Sequence, residues 1–236
     1  MNLEIKKYKT KNDVIQNATF ALNEYFKANE SNPILFLSSG GSCIEVLNSN
    51  LVALDSLTVG IIDERFTSNV SEQNFRKLIN SEFIKINKNL RLLNQEINEN
   101  EALEDYTQKF FAAISGWLSD NKKGKVVASL GMGADGHVAG IFPNKNIQLF
   151  NQRFINPAKL VVGYKLDKKD TVFLERVTVS LYFLEHFVDF AISVVMGENK
   201  KEVFLKLKED VPINLMPYQI VKKIKKAKIF TDIYEE

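Results

Sequence analysis

The sequence has little of what several large classes of protein need. A single cysteine, Cys43, in 236 residues leaves no internal disulfide framework and fits a reducing compartment. Two histidines, His137 and His186, form no Cys/His cluster with the ligand spacing of a zinc site, so no metal is expected. A formal net charge of +2 points to neither a nucleic acid nor a membrane as partner. No apolar run approaches the roughly 20 residues of a membrane span. The segment Met1–Lys6 lacks the apolar centre of a signal peptide. Together these absences read as a cytoplasmic protein whose partner is a small molecule. What remains is ordinary for a globular chain, with 45% hydrophobic and 25% charged residues and ample length for a buried core.

Short apolar runs alternate with amphipathic helical patterns. Val14, Ile15, Ala18, Ala21, Leu22, Tyr25 and Phe26 share one helical stripe, as do Leu103, Tyr106, Phe110, Ala113, Ile114, Trp117 and Leu118. Buried strands are predicted at Pro33–Leu37, Leu57–Ile62, Lys125–Leu130, Leu160–Val162, Val177–Val179, Phe190–Val195 and Lys228–Thr231. Glu198–Lys208 reads as a helix, and Lys222–Lys228 as the wet face of another. Asn144–Pro157 reads as a polar loop too short to divide the chain. This alternation predicts an α/β fold, a mainly parallel sheet with helices on both faces, in one domain over residues 1–236.

Three turns follow three predicted strands, and in a parallel sheet such turns gather at the carboxyl edge, where ligands bind. The first, Ser39-Gly40-Gly41-Ser42, offers hydroxyls and backbone N–H groups at a helix start, a ready site for phosphate or simply a helix cap. The second, Asp63-Glu64-Arg65, sets three charges at a strand end. The third packs Gly131, Gly133, Gly136, Asp135 and His137 into seven residues. Glycines so close let the backbone turn sharply and present its N–H groups. An acid and a histidine two residues apart can serve as a proton acceptor and the group that orients it. Arg176 and Lys200, each beside a predicted strand, are candidate cations for an anion. Cys43 sits near a helix start, where a thiol becomes acidic, but a lone cysteine reads first as a small buried residue. His186, among Phe183, Leu184 and Phe187, reads as structural.

In order along the chain, these segments resemble the 6-phosphogluconolactonase family, which is related to glucosamine-6-phosphate deaminases. Ser39–Ser42 is similar to the family's S-G-G-S-T-P loop, and Asp63-Glu64-Arg65 with Asn74-Phe75 to its D-E-R…S-N-Y segment. Gly131–Pro143 is similar to its G-M-G-x-D-G-H-x-A-x-x-F-P signature, Arg176–Val179 to R-I-T-L, and Gly197–Lys200 to G-x-x-K. Cys43 and Ile44 replace a Thr-Pro pair, Gln73 replaces a serine, and the stretch between Arg65 and Asn74 is about one residue short.

The resemblance implies a Rossmann-like α/β fold and opening of 6-phospho-D-glucono-1,5-lactone to 6-phospho-D-gluconate in the oxidative pentose phosphate pathway. On that reading His137 is the general base, because histidine's ordinary pKa of about 6.5 suits proton transfer at neutral pH. Asp135 or Asp63 orients the imidazole or the water, and the scheme requires no cofactor. Backbone N–H groups around Gly131 and Gly133 face the oxyanion. Ser39, Gly40, Gly41, Ser42, Arg176 and Lys200 hold the phosphate, with Arg65 beside them. The alternatives are a deaminase-type sugar-phosphate isomerase and a non-catalytic sugar-phosphate sensor on the same fold.

Overall fold

The apolar runs at Ile34–Ser38, Leu57–Ile61 and Phe190–Val195 are buried at every position. Successive side chains of a strand point to opposite faces, so these strands are covered on both sides, as a parallel sheet requires. A computed structural model describes residues 3–167 and 171–234; Met1 and Asn2, at the head of the amino-terminal segment read above, lie outside the described residues.

The strands are β1 (Leu3–Lys7), β2 (Ile34–Ser38), β3 (Leu57–Ile61), β4 (Asp63–Arg65), β5 (Arg91–Leu92), β6 (Lys125–Gly131), β7 (Val161–Lys165), β8 (Glu175–Val179), β9 (Phe190–Val195) and β10 (Ala227–Thr231). The α-helices are α1 (Lys11–Ala28), α2 (Ile44–Leu47), α3 (Asn74–Ile79), α4 (Glu82–Ile86), α5 (Leu103–Asp120), α6 (Ile147–Phe154), α7 (Leu181–Phe187) and α8 (Lys201–Leu205). Seven strands form one sheet in the order β1-β10-β9-β6-β2-β3-β5, every neighbouring pair parallel. The chain runs outward from β2 through β3 to β5, then returns to the other side of β2 as β6. The strand order therefore reverses between β2 and β6, and an open sheet of this kind leaves its crevice outside the carboxyl ends of those two strands.

Helix α1 forms where the stripe predicts it. The Thr10 side chain caps it by accepting from the Asp13 N–H at 3.1 Å, and Val14, Ile15, Ala18, Leu22 and Phe26 are buried beneath it. Phe26 meets Phe36 of β2 edge to face, with ring centroids 5.6 Å apart. Helix α5 buries Tyr106, Phe110, Ile114 and Trp117 and packs against β7 and β8.

Four expectations are corrected. Asp63-Glu64-Arg65 is not a turn but strand β4, which leaves the large sheet to pair antiparallel with β8 in a second sheet ordered β4-β8-β7. Backbone bonds on both sides of Ile62, to Ser38 and Val179, carry the chain across. The polar stretch Asn144–Pro157 contains α6, because Asn146 caps it through the Leu149 N–H and Phe150 and Phe154 bury one face. Glu198–Lys208 is three short pieces, two 3₁₀ turns around α8. Lys222–Lys228 is no helix: a 3₁₀ turn ends at Lys222 and β10 begins at Ala227. The edge strand β1 went unseen because its exposed alternation of charges carries no apolar run.

Phe36→Ala should lower the free energy of unfolding by about 3–5 kcal/mol, the usual cost of emptying a fully buried aromatic site. Urea denaturation should show the loss with an unchanged slope. A loss below about 1 kcal/mol would mean that the α1–β2 contact is not the packed core described.

Candidate active site

A cleft of about 270 Å³ opens at the β2/β6 reversal. The loop after β2 contributes Ser39, Gly40, Gly41 and Ser42. Strand β4 contributes Asp63 and Arg65, β8 contributes Arg176, and the 3₁₀ turn after β9 contributes Lys200. Gly131, Met132, Gly133 and His137 close the wall from the end of β6. The catalytic and phosphate-binding residues implied by the resemblance thus line one cleft except Asp135, which reaches it through the imidazole, while Glu64 and Gly136 lie outside the lining. Cys43 and Ile44, the departures in the first loop, are not part of the lining. Burial pushes the Cys43 thiol up to about 12, so a nucleophilic role for it is set aside. His186 stacks on Tyr182 at 4.0 Å, and its Nδ1 lies 2.9 Å from the Tyr182 carbonyl, as a structural histidine would.

The histidine is held from several sides. Asp135 Oδ1 accepts from the His137 backbone N–H at 3.1 Å and lies 2.6 Å from Nδ1. Burial works to raise the Asp135 carboxyl, but the hydrogen bond and charge of His137 outweigh it and hold it below its ordinary value. An ionised carboxylate only accepts, so Nδ1 carries the hydrogen and the neutral ring keeps its lone pair on Nε2. Phe142 stacks on the other side of the ring, centroids 4.4 Å apart. Gly133 donates its N–H to the His137 carbonyl at 2.9 Å, so that group is turned inward and the glycine supplies space instead. A Cβ there would lie 2.1 Å from His137 Nδ1.

Beyond the ring, Val138 and Ile141 bond to each other around Ala139 (φ 48°) and Gly140 (φ 66°). Left-handed backbone at an alanine is unfavourable by itself. The second sheet holds it there: Thr178 Oγ1 donates to the Ala139 carbonyl at 2.5 Å, and the Tyr164 hydroxyl donates to that of Gly140.

The facing wall is charged, with Asp63 and Arg176 buried in it. Asp63 is buried, which raises its carboxyl; Arg176, Arg65 and His137 oppose the shift. Arg176 Nη1 lies 3.9 Å from Asp63 Oδ2, and burial lowers the Arg176 guanidinium. Arg65 and Arg176 stand directly opposite each other in the β4–β8 pair, an arrangement that disfavours two like charges. Arg65 Nη1 is tied to Glu72 Oε2 at 2.7 Å, and Phe173 packs over both guanidiniums. Lys200 is half-buried, which lowers its ammonium, and makes no ion pair among the described residues. Ser39 Oγ, Asn74 Oδ1 and Arg176 Nε are buried without a hydrogen-bond partner. The N–H groups of Gly40, Gly41 and Ser42 bond to no other described residue.

Two residues gain importance from the structure. Asn74 lines the cleft, a role its place in the resemblance hinted at without assigning it. Glu64, fully buried, accepts from the backbone N–H groups of Asn74 and Phe75 at the start of α3 and from that of its neighbour Arg65, while burial pushes its carboxyl up to about 7. Nothing in its neighbours' sequence marks it as buried. Among the described residues, no group of three or more His, Cys, Asp or Glu could hold a metal ion, and no helix is long and apolar enough to cross a membrane.

Gly133→Ala should abolish most of the activity while leaving the fold intact, because the added methyl must push the imidazole off Asp135. Near-normal turnover in a folded Gly133→Ala variant would contradict the placement of the ring.

Solved structures share this architecture. A 6-phosphogluconolactonase from Shewanella baltica superposes with a TM-score of 0.74 at 19% identity, covering 97% of this chain and 96% of that one. One from Plasmodium vivax gives 0.73 at 22% identity, over 100% of this chain and 91% of that one. One from Trypanosoma brucei gives 0.76 at 16% identity, over 97% and 95%. At such identities the likeness is one of fold. No curated protein sequence matches the chain. The family description "Glucosamine-6-phosphate isomerases/6-phosphogluconolactonase" matches residues 9–230, nearly the whole length, and the chain belongs to that family.

Proposed function

We propose that the protein hydrolyses 6-phospho-D-glucono-1,5-lactone to 6-phospho-D-gluconate. The observation that carries the reading is the His137–Asp135 pair set in a cleft whose other walls hold unpaired donors and cations. One acid–base group suffices for opening a lactone, because its carbonyl is already electrophilic. His137 Nε2 takes a proton from water as the water oxygen bonds to the carbonyl carbon. Asp135 stabilises the imidazolium that forms. Collapse of the tetrahedral intermediate breaks the bond to the ring oxygen, which receives the proton from Nε2. The product carboxylic acid then ionises to solvent. Asp63, across the cleft, orients the water.

The phosphate is assigned to Lys200, the Ser39–Ser42 loop and Arg176, with Arg65 beside them. Open N–H groups and Lys200, which makes no ion pair among the described residues, suit an anion, and a bound anion relieves the confrontation of Arg65 with Arg176. The expected setting is the cytoplasmic oxidative branch of pentose phosphate metabolism. Residues 1–236 are taken to act as one domain in it. The family also includes glucosamine-6-phosphate isomerases, but here the second segment carries Arg65 and the histidine turn ends in the apolar Phe142. No second acid is thereby added for sugar ring opening.

Two assays on one preparation test this: acid release from fresh lactone, corrected for spontaneous hydrolysis, and ammonia release from glucosamine 6-phosphate. The expected result is acid without ammonia, and His137→Ala should lower kcat by roughly 10²–10⁴. Ammonia without accelerated lactone opening would establish the isomerase chemistry instead. Neither product would leave a sugar-phosphate sensor.

A further inference from the structure

Glu64 lies outside the cleft, yet it joins the pieces that form its wall. Its side chain is fully buried. Oε1 accepts from the Arg65 N–H at 2.7 Å and the Asn74 N–H at 2.5 Å, and Oε2 accepts from the Phe75 N–H at 2.8 Å. The first N–H groups of a helix have no partner within it and are normally met by a side chain at the N-cap. Gln73 holds that position in α3 and makes no capping bond; its Nε2 donates to the Thr67 carbonyl instead, at 2.8 Å. The task falls to a carboxylate ten residues upstream, on a strand of the other sheet. A buried carboxylate is costly unless donors surround it, and a serine at residue 73 would cap the helix without that cost. What Glu64 adds is a rigid tie between β4 and α3.

That tie sets Asn74. Its Nδ2 donates to the Asp63 carbonyl at 2.9 Å and lies 3.4 Å from Asp63 Oδ2. Its Oδ1 is buried without a partner and sits against Gly40, where a Cβ would fall 2.5 Å away. Asn74 is therefore wedged between the acid on β4 and the glycine loop after β2. We propose that Glu64 is a positioning residue of this site, seating Asn74 so that Asp63 and the Gly40 loop face His137 across a cleft of fixed width. The inference rests on the hydrolytic reading above and names the residue that keeps its substrate wall in place.

The test separates positioning from plain helix capping. Glu64→Gln preserves volume but turns an amide NH₂ toward backbone donors. It should raise KM for the phosphorylated lactone about tenfold, the size of a lost charge-assisted hydrogen bond, and lower kcat as well, because a displaced Asp63 no longer orients the water. Adding Gln73→Ser supplies a local cap. The double variant should regain thermal stability while KM stays high. Asn74→Ala, which leaves Glu64 in place, should raise KM similarly, and Glu64→Gln should add nothing to it, as expected for residues acting in series. Recovery of KM together with stability in the Glu64→Gln/Gln73→Ser chain would overturn the proposal, as would additive effects of Glu64→Gln and Asn74→Ala. If the natural sequence fails to open the lactone, the hydrolytic reading fails alone. The same comparison is then read in the dissociation constant of 6-phospho-D-gluconate by calorimetry. No binding by the natural sequence would overturn both.

Discussion

Everything at this site depends on one carboxylate oxygen. Asp135 Oδ1 meets both the backbone N–H and the Nδ1 of a residue only two positions away. So short a span forces the intervening chain through a tight turn, and Gly136 (φ 83°) provides it. The same turn presses the imidazole onto Gly133, where no side chain fits. The glycines are thus the space that one hydrogen bond requires. Stacking on Phe142 and the two hydroxyl donors from the second sheet keep the far side of the loop from relaxing.

The two sheets divide the work. The parallel sheet, buried on both faces at its centre, supplies the crevice where its strand order reverses. The antiparallel sheet supplies the charged wall and the clamp on the histidine loop. Asp63 stands where the chain passes from one to the other. Its carboxylate faces the cleft while its neighbours are committed to backbone pairing with β8. A substitution at Tyr164 or Thr178 therefore acts on the histidine without touching a ligand.

The central strands, both long helices and the convergence of three strand-end segments were legible because burial on both faces leaves continuous apolar runs and burial on one face leaves a stripe. The exposed strand Leu3–Lys7 and the capped helix Ile147–Phe154 leave neither signature, since pairing partners and a single asparagine cap decide them. Asp63-Glu64-Arg65 looked like a charged turn because local sequence cannot tell a solvated charge from a paired one. Arg65, Arg176 and Asp63 are matched only through β8, more than 100 residues away. For the same reason the role of Glu64 is invisible in the sequence: two of its three donors belong to a helix start it meets only in the fold. Whether Asp135 or Asp63 reaches the imidazole was also open in the sequence, and the distances place Asp135 there.

The central claim is that Asp135 fixes the proton of His137 on Nδ1 and leaves Nε2 free to act as a base. Nitrogen NMR of the neutral ring reads this directly, with His186→Gln removing the other imidazole. The account predicts a protonated Nδ1 and an unprotonated Nε2. A hydrogen on Nε2, with Nδ1 bare beside Asp135, would contradict it.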